Sequence, residues 1–128
     1  MRKIVFTPLL LGIIILSFEN KVNAQTNSSS LLRHIVIITF KQDAPVDSIK
    51  ALDDIYVSLS KSILVKDFEM GVNVSARDTG VVKHIYVTTF ASKDDMDSYK
   101  KIPLYSRLFK SSLPIANDVT VADYWVNK

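Results

Sequence analysis

The chain has no cysteine. That excludes disulfides, thiolate nucleophiles and cysteine metal ligands, and it excludes a lipid-modified N-terminus. Glycine is almost as scarce, with only Gly12, Gly71 and Gly80. Three isolated glycines build neither a phosphate-cradling loop nor a Gly-x-Ser-x-Gly nucleophile elbow. Histidine occurs twice, as His34 and His84. With two histidines and no cysteine, a metal centre would need Asp123 or a glutamate as third ligand, and no tight spacing points there. No metal and no cofactor is expected. The charge excess is small, 16 basic against 13 acidic residues, and no basic cluster interleaves with aromatics. Nucleic-acid binding is therefore not expected.

What is present begins with a leader. Arg2 and Lys3 precede an apolar run from Ile4 to Phe18, and Val22-Asn23-Ala24 offers small residues before Gln25. This predicts a cleavable secretory signal peptide over residues 1–24. The run is shorter than the ~20 residues needed to span a bilayer. No membrane association is expected after cleavage, and a secreted or periplasmic location follows. Absence of disulfides favours a bacterial periplasm. Cleavage removes three of the 16 basic residues and one of the 13 acidic, leaving +1. Asn27-Ser28-Ser29 and Asn73-Val74-Ser75 match the glycosylation pattern, which matters only in a eukaryotic source. Residues 25–31 read as a flexible tether and 32–128 as one domain.

Two stretches echo each other. Leu32 to Phe40 (LRHIVIITF) is β-branched and aromatic, the profile of a strand buried on both faces. Lys83 to Phe90 (KHIYVTTF) repeats it. Strand alternation puts His34, Val36, Ile38 and Phe40 on one side, and His84, Tyr86, Thr88 and Phe90 on one side of the other. Between them, Asp43-Ala44-Pro45 launches an amphipathic helix carrying Ile49, Leu52, Ile55, Tyr56, Leu59 and Ile63 inward. Asp53 and Asp54 are read as part of its solvated face. A second strand spans Val65 to Val74, where Gly71 suggests a bulge or a close backbone approach. Asp78-Thr79-Gly80 is a turn. Ser92 with Asp95 fits a capping box, starting a short helix with Met96 and Tyr99 inward. Pro103 breaks it. A further piece runs from Leu104 to Leu113 with Leu104, Leu108 and Phe109 inward, and Asp118 to Val126 is the last strand.

The order β-α-β-β-α-β predicts an α+β, ferredoxin-like, four-stranded antiparallel sheet with both helical segments on one face. The other face holds Ile35, Ile37, Ile85 and Val87, which water should not see. A homodimer closing two such faces into an α/β barrel is the expected partner arrangement. The histidines carry two readings: a pocket pair for proton transfer or ligand binding, or strand residues satisfied by backbone or a carboxylate such as Asp123. Tyr56, Tyr86, Tyr99 and Tyr105 are either a pocket wall or core. Asp123 either orients a histidine or pairs with a basic residue, and the second is favoured. Trp125 reads as packing or dimer contact.

Arg33-His34-Ile35-Val36, Phe68-Glu69-Met70-Gly71, His84 to Phe90, Asp95 with Tyr99 and Pro103, and Val121-Ala122-Asp123-Tyr124 stand in the order and spacing of a known family. The sequence resembles the stress-responsive α/β-barrel domain family, with distant similarity to plant polyketide cyclases of the olivetolic acid type. The resemblance implies a dimeric barrel, a role in stress response, and a pocket between helices and sheet lined by His34, Tyr56, His84, Tyr99 and Tyr105. The family's His-Pro-x-His motif falls on Ile102-Pro103-Leu104-Tyr105, so its general-base histidine is Tyr105 here. Tyrosine titrates near 10 and is a poor base at neutral pH. The leading expectation is therefore binding of a small apolar or aromatic molecule. A cyclase- or isomerase-like enzyme using His34 or His84, and a protein-interaction module of the envelope, are the alternatives.

Overall fold

The structure, a computed structural model, describes residues 30–126. The predicted leader and residues 25–29 of the predicted tether lie outside the described residues. The elements are β1 (Leu31–Phe40), α1 (Val46–Ser60), β2 (Val65–Val72), a 3-10 turn (Ala76–Asp78), β3 (Lys83–Phe90), α2 (Lys93–Tyr99), α3 (Pro103–Ser112) and β4 (Ala116–Val126). The strands form one antiparallel sheet in the order β2-β3-β1-β4. This is the ferredoxin-like arrangement. No helix among the described residues is long and apolar enough to cross a membrane.

The most apolar strand, β1, lies inside the sheet. Its burial alternates without a break: Leu32, His34, Val36, Ile38 and Phe40 are buried, while Leu31, Arg33, Ile35, Ile37 and Thr39 are half-buried. The helices cover one face of β1, and the other face, with Arg33, Ile35 and Ile37, is half-buried within the single chain. Under them, Leu52, Tyr56 and Leu59 of α1 and Met96 and Tyr99 of α2 pack on Val36, Ile38, Tyr86 and Phe90. Tyr56 stacks on Tyr86 with ring centroids 3.7 Å apart.

Local chemistry sets the element ends. Ser92 caps α2 by accepting a hydrogen bond from the Asp95 amide at 3.0 Å. Pro103 occupies the first turn of α3, where its missing N–H costs nothing. Thr79 (φ −55°, ψ 125°) and Gly80 (φ 81°) form a type II turn closed by Val81 N–H to Asp78 C=O at 3.0 Å. Gly71 is regular strand paired with Ile85, with nothing within 4 Å of where a Cβ would stand. The bulge lies instead between Val65 and Asp67. Strand β2 stops at Val72 rather than the expected Val74, and β3 spans Lys83–Phe90. Ile63, expected inward, falls past the end of α1 and is 94% exposed. Phe109, also expected inward, is 67% exposed because α3 turns Leu108 to the core instead.

Candidate functional site

The register of β1 sets His34 between Thr88 of β3 and Asp123 of β4, all on the helix-covered face. His34 is buried, and its Nδ1 lies 2.5 Å from Asp123 Oδ1. A carboxylate can only accept, so Nδ1–H donates, and in the neutral ring Nε2 carries the lone pair. The hydrogen bond that His34 makes among the described residues is this one, through Nδ1. Asp123 Oδ2 stands 4.0 Å from Lys100 Nζ at the C-terminal end of α2. The favoured reading of Asp123 as a carboxylate paired mainly with a basic residue is corrected: it orients His34, and Lys100 is the more distant partner. A buried histidine whose carboxylate reaches the surface can accept a proton from a ligand, or a hydrogen bond.

Tyr99 and Tyr105 flank this pair. Their rings meet edge to face at 5.4 Å, and Tyr99 packs on Phe90 at 5.0 Å. Burial pushes the Tyr99 phenol up to about 12, with a hydrogen bond to Thr88 pulling the other way. Burial raises Tyr105 too, and the Asp123 charge adds to it. Both are hydrogen-bond donors at neutral pH, and neither is a base.

His84 lies four residues along the sheet from His34, on the same face, opposite Ile38. It belongs to a separate cluster. Its Nδ1 is 2.9 Å from Asp53 Oδ1, and Tyr86 Oη donates to the same oxygen at 2.7 Å. Phe40 meets the His84 ring edge-on at 5.1 Å. The Tyr86 phenol is raised first by burial, then by its hydrogen bond to Asp53. Tyr56 is raised by burial as well. The six predicted site residues thus divide. His34, Tyr99 and Tyr105 meet around Asp123, and His84 and Tyr86 meet around Asp53. The Tyr56 ring, stacked on Tyr86, stands between the two groups.

Asp53 was read as solvated surface, and that reading is corrected. Asp53 follows Ile49 by four residues and precedes Tyr56 by three, which sets it on the apolar stripe of α1. That spacing was the available signal. Asp54 does face water, paired with Lys50 at 2.8 Å. Two open cavities lie away from the histidines. One of about 760 Å³ sits at the end of β1, between Gln42, Val46 and Val82. The other, about 310 Å³, sits between Phe109 and Leu113 of α3 and Val119 of β4. The second opens onto the helix-side face of β4, where Val119, Val121 and Trp125 are each about half exposed.

Residues 32–126 match the Stress Responsive A/B Barrel Domain. The chain belongs to this family. The match takes in every residue of both histidine clusters, so the barrel domain as a whole carries them. Solved structures agree on the fold. The barrel domain is similar to a hydroxynitrile lyase from Passiflora edulis (TM-score 0.67, 23% identity, 77% of this chain and 94% of that one). It is similar to a dimeric ferredoxin-like protein from Thermobifida fusca (TM-score 0.65, 14% identity, 76% and 92%). A barrel-family protein from Mesorhizobium loti also superposes (TM-score 0.61, 21% identity, 74% and 95%). Among curated proteins no match was found.

Proposed function

We propose that this barrel-domain protein is exported, assembles as a homodimer, and binds an elongated apolar or aromatic molecule with one polar end. The site is the furrow between α3 and β4. One observation carries the reading: Val119, Val121, Asp123 and Trp125 form a single row on β4, apolar but for Asp123, and the row is uncovered on its helix side. Val119 to Asp123 is four residues, or about 13 Å of strand. That length suits a molecule of two fused or linked rings. Its body would lie on Val119 and Val121 against Phe109 and Leu113. Its polar end would reach His34 Nε2, the Tyr105 hydroxyl and Lys100. The dimer is supported by the apolar sheet face opposite the helices and by the similarity to a protein described as dimeric.

The test is a thermal-shift titration with 2-naphthol and 2-naphthoic acid. At ~100 times the dissociation constant a bound ligand adds about 2.7 kcal/mol. His34→Ala and Val121→Glu should each remove the shift, and His84→Ala should leave it. Equal stabilisation of the His34 and Val121 variants, or none of the wild type, would overturn the reading.

A second reading is favoured by the His34–Asp123 pair itself: proton abstraction from an activated carbon, with Nε2 as base and Tyr105 as hydrogen-bond donor. Deuterium exchange into a phenolic or β-dicarbonyl ligand, followed by NMR, tests it. Exchange that persists unchanged in His34→Ala rejects it.

A further inference from the structure

The sheet face away from the helices carries a charged row at one end. Pairing sets Asp67 of β2, Thr89 of β3, Arg33 of β1 and Tyr124 of β4 side by side across all four strands. The next row begins with Glu69 and continues through Val87 and Ile35. Arg33 is the misfit. Its Nε is buried with no hydrogen-bond partner, and among the described residues it makes no ion pair. A guanidinium stays charged at any ordinary pH, and a buried donor left unpaired is costly. Native structures carry few such groups, and each calls for a partner.

The acids on this face do not pair with Arg33 within one copy. Asp67 and Glu69 stand on β2, two strand spacings from β1, or about 9.6 Å. Both are exposed, and neither makes an ion pair among the described residues. A second copy changes this. With a two-fold axis running along the strands between β1 and β3, β1 of each copy lies over β3 of the other. Arg33 then points across the ~10 Å gap between the stacked sheets toward the other copy's β2, offset sideways by one strand spacing of about 4.8 Å, and the facing side chains project into that gap. The face itself is large enough: four strands and ten residues make roughly 19 by 34 Å, about 650 Å², inside the ~600–1,000 Å² per partner of a stable interface.

Resting on the homodimer proposed above, we infer that Arg33 of each copy is satisfied by the β2 carboxylates, Asp67 and Glu69, of the other. The two equivalent bridges fix the register of the sheets and select a matching partner. The bridge sits at the rim of an apolar face, so it acts against wrong pairings more than it adds affinity.

Charge reversal and mixing test this, read by analytical ultracentrifugation. Arg33→Glu alone, and Asp67→Lys/Glu69→Lys alone, each face like charges twice, and each should weaken dimerisation at least a hundredfold. Mixed one to one, the two variants restore both bridges and should form a heterodimer near wild-type affinity. A monomeric wild type would overturn the dimer reading. A dimeric wild type whose variants all dimerise equally well would leave the dimer standing and overturn the bridge. Weak variants that mixing fails to rescue would also overturn it, since a bridge within one copy gives that result. Should Arg33→Glu not fold, Arg33→Gln keeps the stem and loses the charge. It should still weaken the dimer about tenfold or more, and no change would overturn the bridge.

Discussion

Removing the Asp53 carboxylate tests whether this acidic residue on a helix surface holds the core together. Asp53→Ala leaves the Tyr86 hydroxyl without its 2.7 Å acceptor, and Tyr86 is fully buried. An orphaned buried donor costs about 1–3 kcal/mol. The same change frees His84 Nδ1 from its 2.9 Å contact, a partly exposed bond worth about 0.5–1.5 kcal/mol. Together the loss is roughly 2–4 kcal/mol, a large share of a small domain's 5–15 kcal/mol. Asp54→Ala, next in sequence, removes only an exposed pair with Lys50 and should cost within about 0.5 kcal/mol. Urea unfolding at one fixed protein concentration measures both, the fixed concentration being needed because dimerisation shifts apparent stability. Tyr86→Phe closes the cycle. If its hydroxyl matters mainly through Asp53, the double variant falls short of the sum by about 1 kcal/mol or more. Asp53→Ala and Asp54→Ala indistinguishable within about 0.5 kcal/mol would refute the reasoning.

Alkali should unfold the protein steeply. Tyr56, Tyr86 and Tyr99 are each raised chiefly by burial, so the folded chain keeps protons that the unfolded chain sheds. Their contribution is full below pH 10 and is lost as pH rises above it, about 4 kcal/mol per pH unit for the three together. Circular dichroism between pH 9 and 12 reads this, and a flat profile contradicts it. Ser92→Ala should cost about 1 kcal/mol through loss of the α2 cap, measured by thermal unfolding. Ile35→Asp, on the helix-free sheet face, should yield folded monomer by light scattering while leaving the helix-side core intact.

The fold was legible because period-two strands, a helix with its stripe at three and four, and two prolines all agree with one topology. The same alternation placed both histidines on one face. It could not say that they part into two clusters, because that depends on which carboxylate reaches each ring. Asp123 comes from β4, 89 residues from His34. No local pattern reports such a distance, although a lone charge among Val119, Val121 and Trp125 marks the position. Asp53 was missed because two adjacent aspartates look alike in sequence, and only the 100° between them on α1 separates core from water. Phe109 was misplaced because Leu108 and Phe109 are equally apolar, and the path of α3 over the sheet decides which one faces in. The uncovered helix side of β4 has no sequence signature, since its residues alternate like those of any buried strand.

The strand order has a consequence for how the chain is made. β1 is synthesised first of the strands, yet its two neighbours are β3 and β4. Until β3 emerges, the run RHIVIITF has no mate, and until β4 emerges it remains a long, flat, β-branched edge, the composition that invites pairing between chains. Closing the sheet requires loops of some 50 and 90 residues, which makes the search slow. Folding therefore waits for the whole domain, and the nascent chain depends on whatever binds extended apolar segments in the interval. A truncation ending before β4 should accumulate as aggregate rather than as a smaller folded unit.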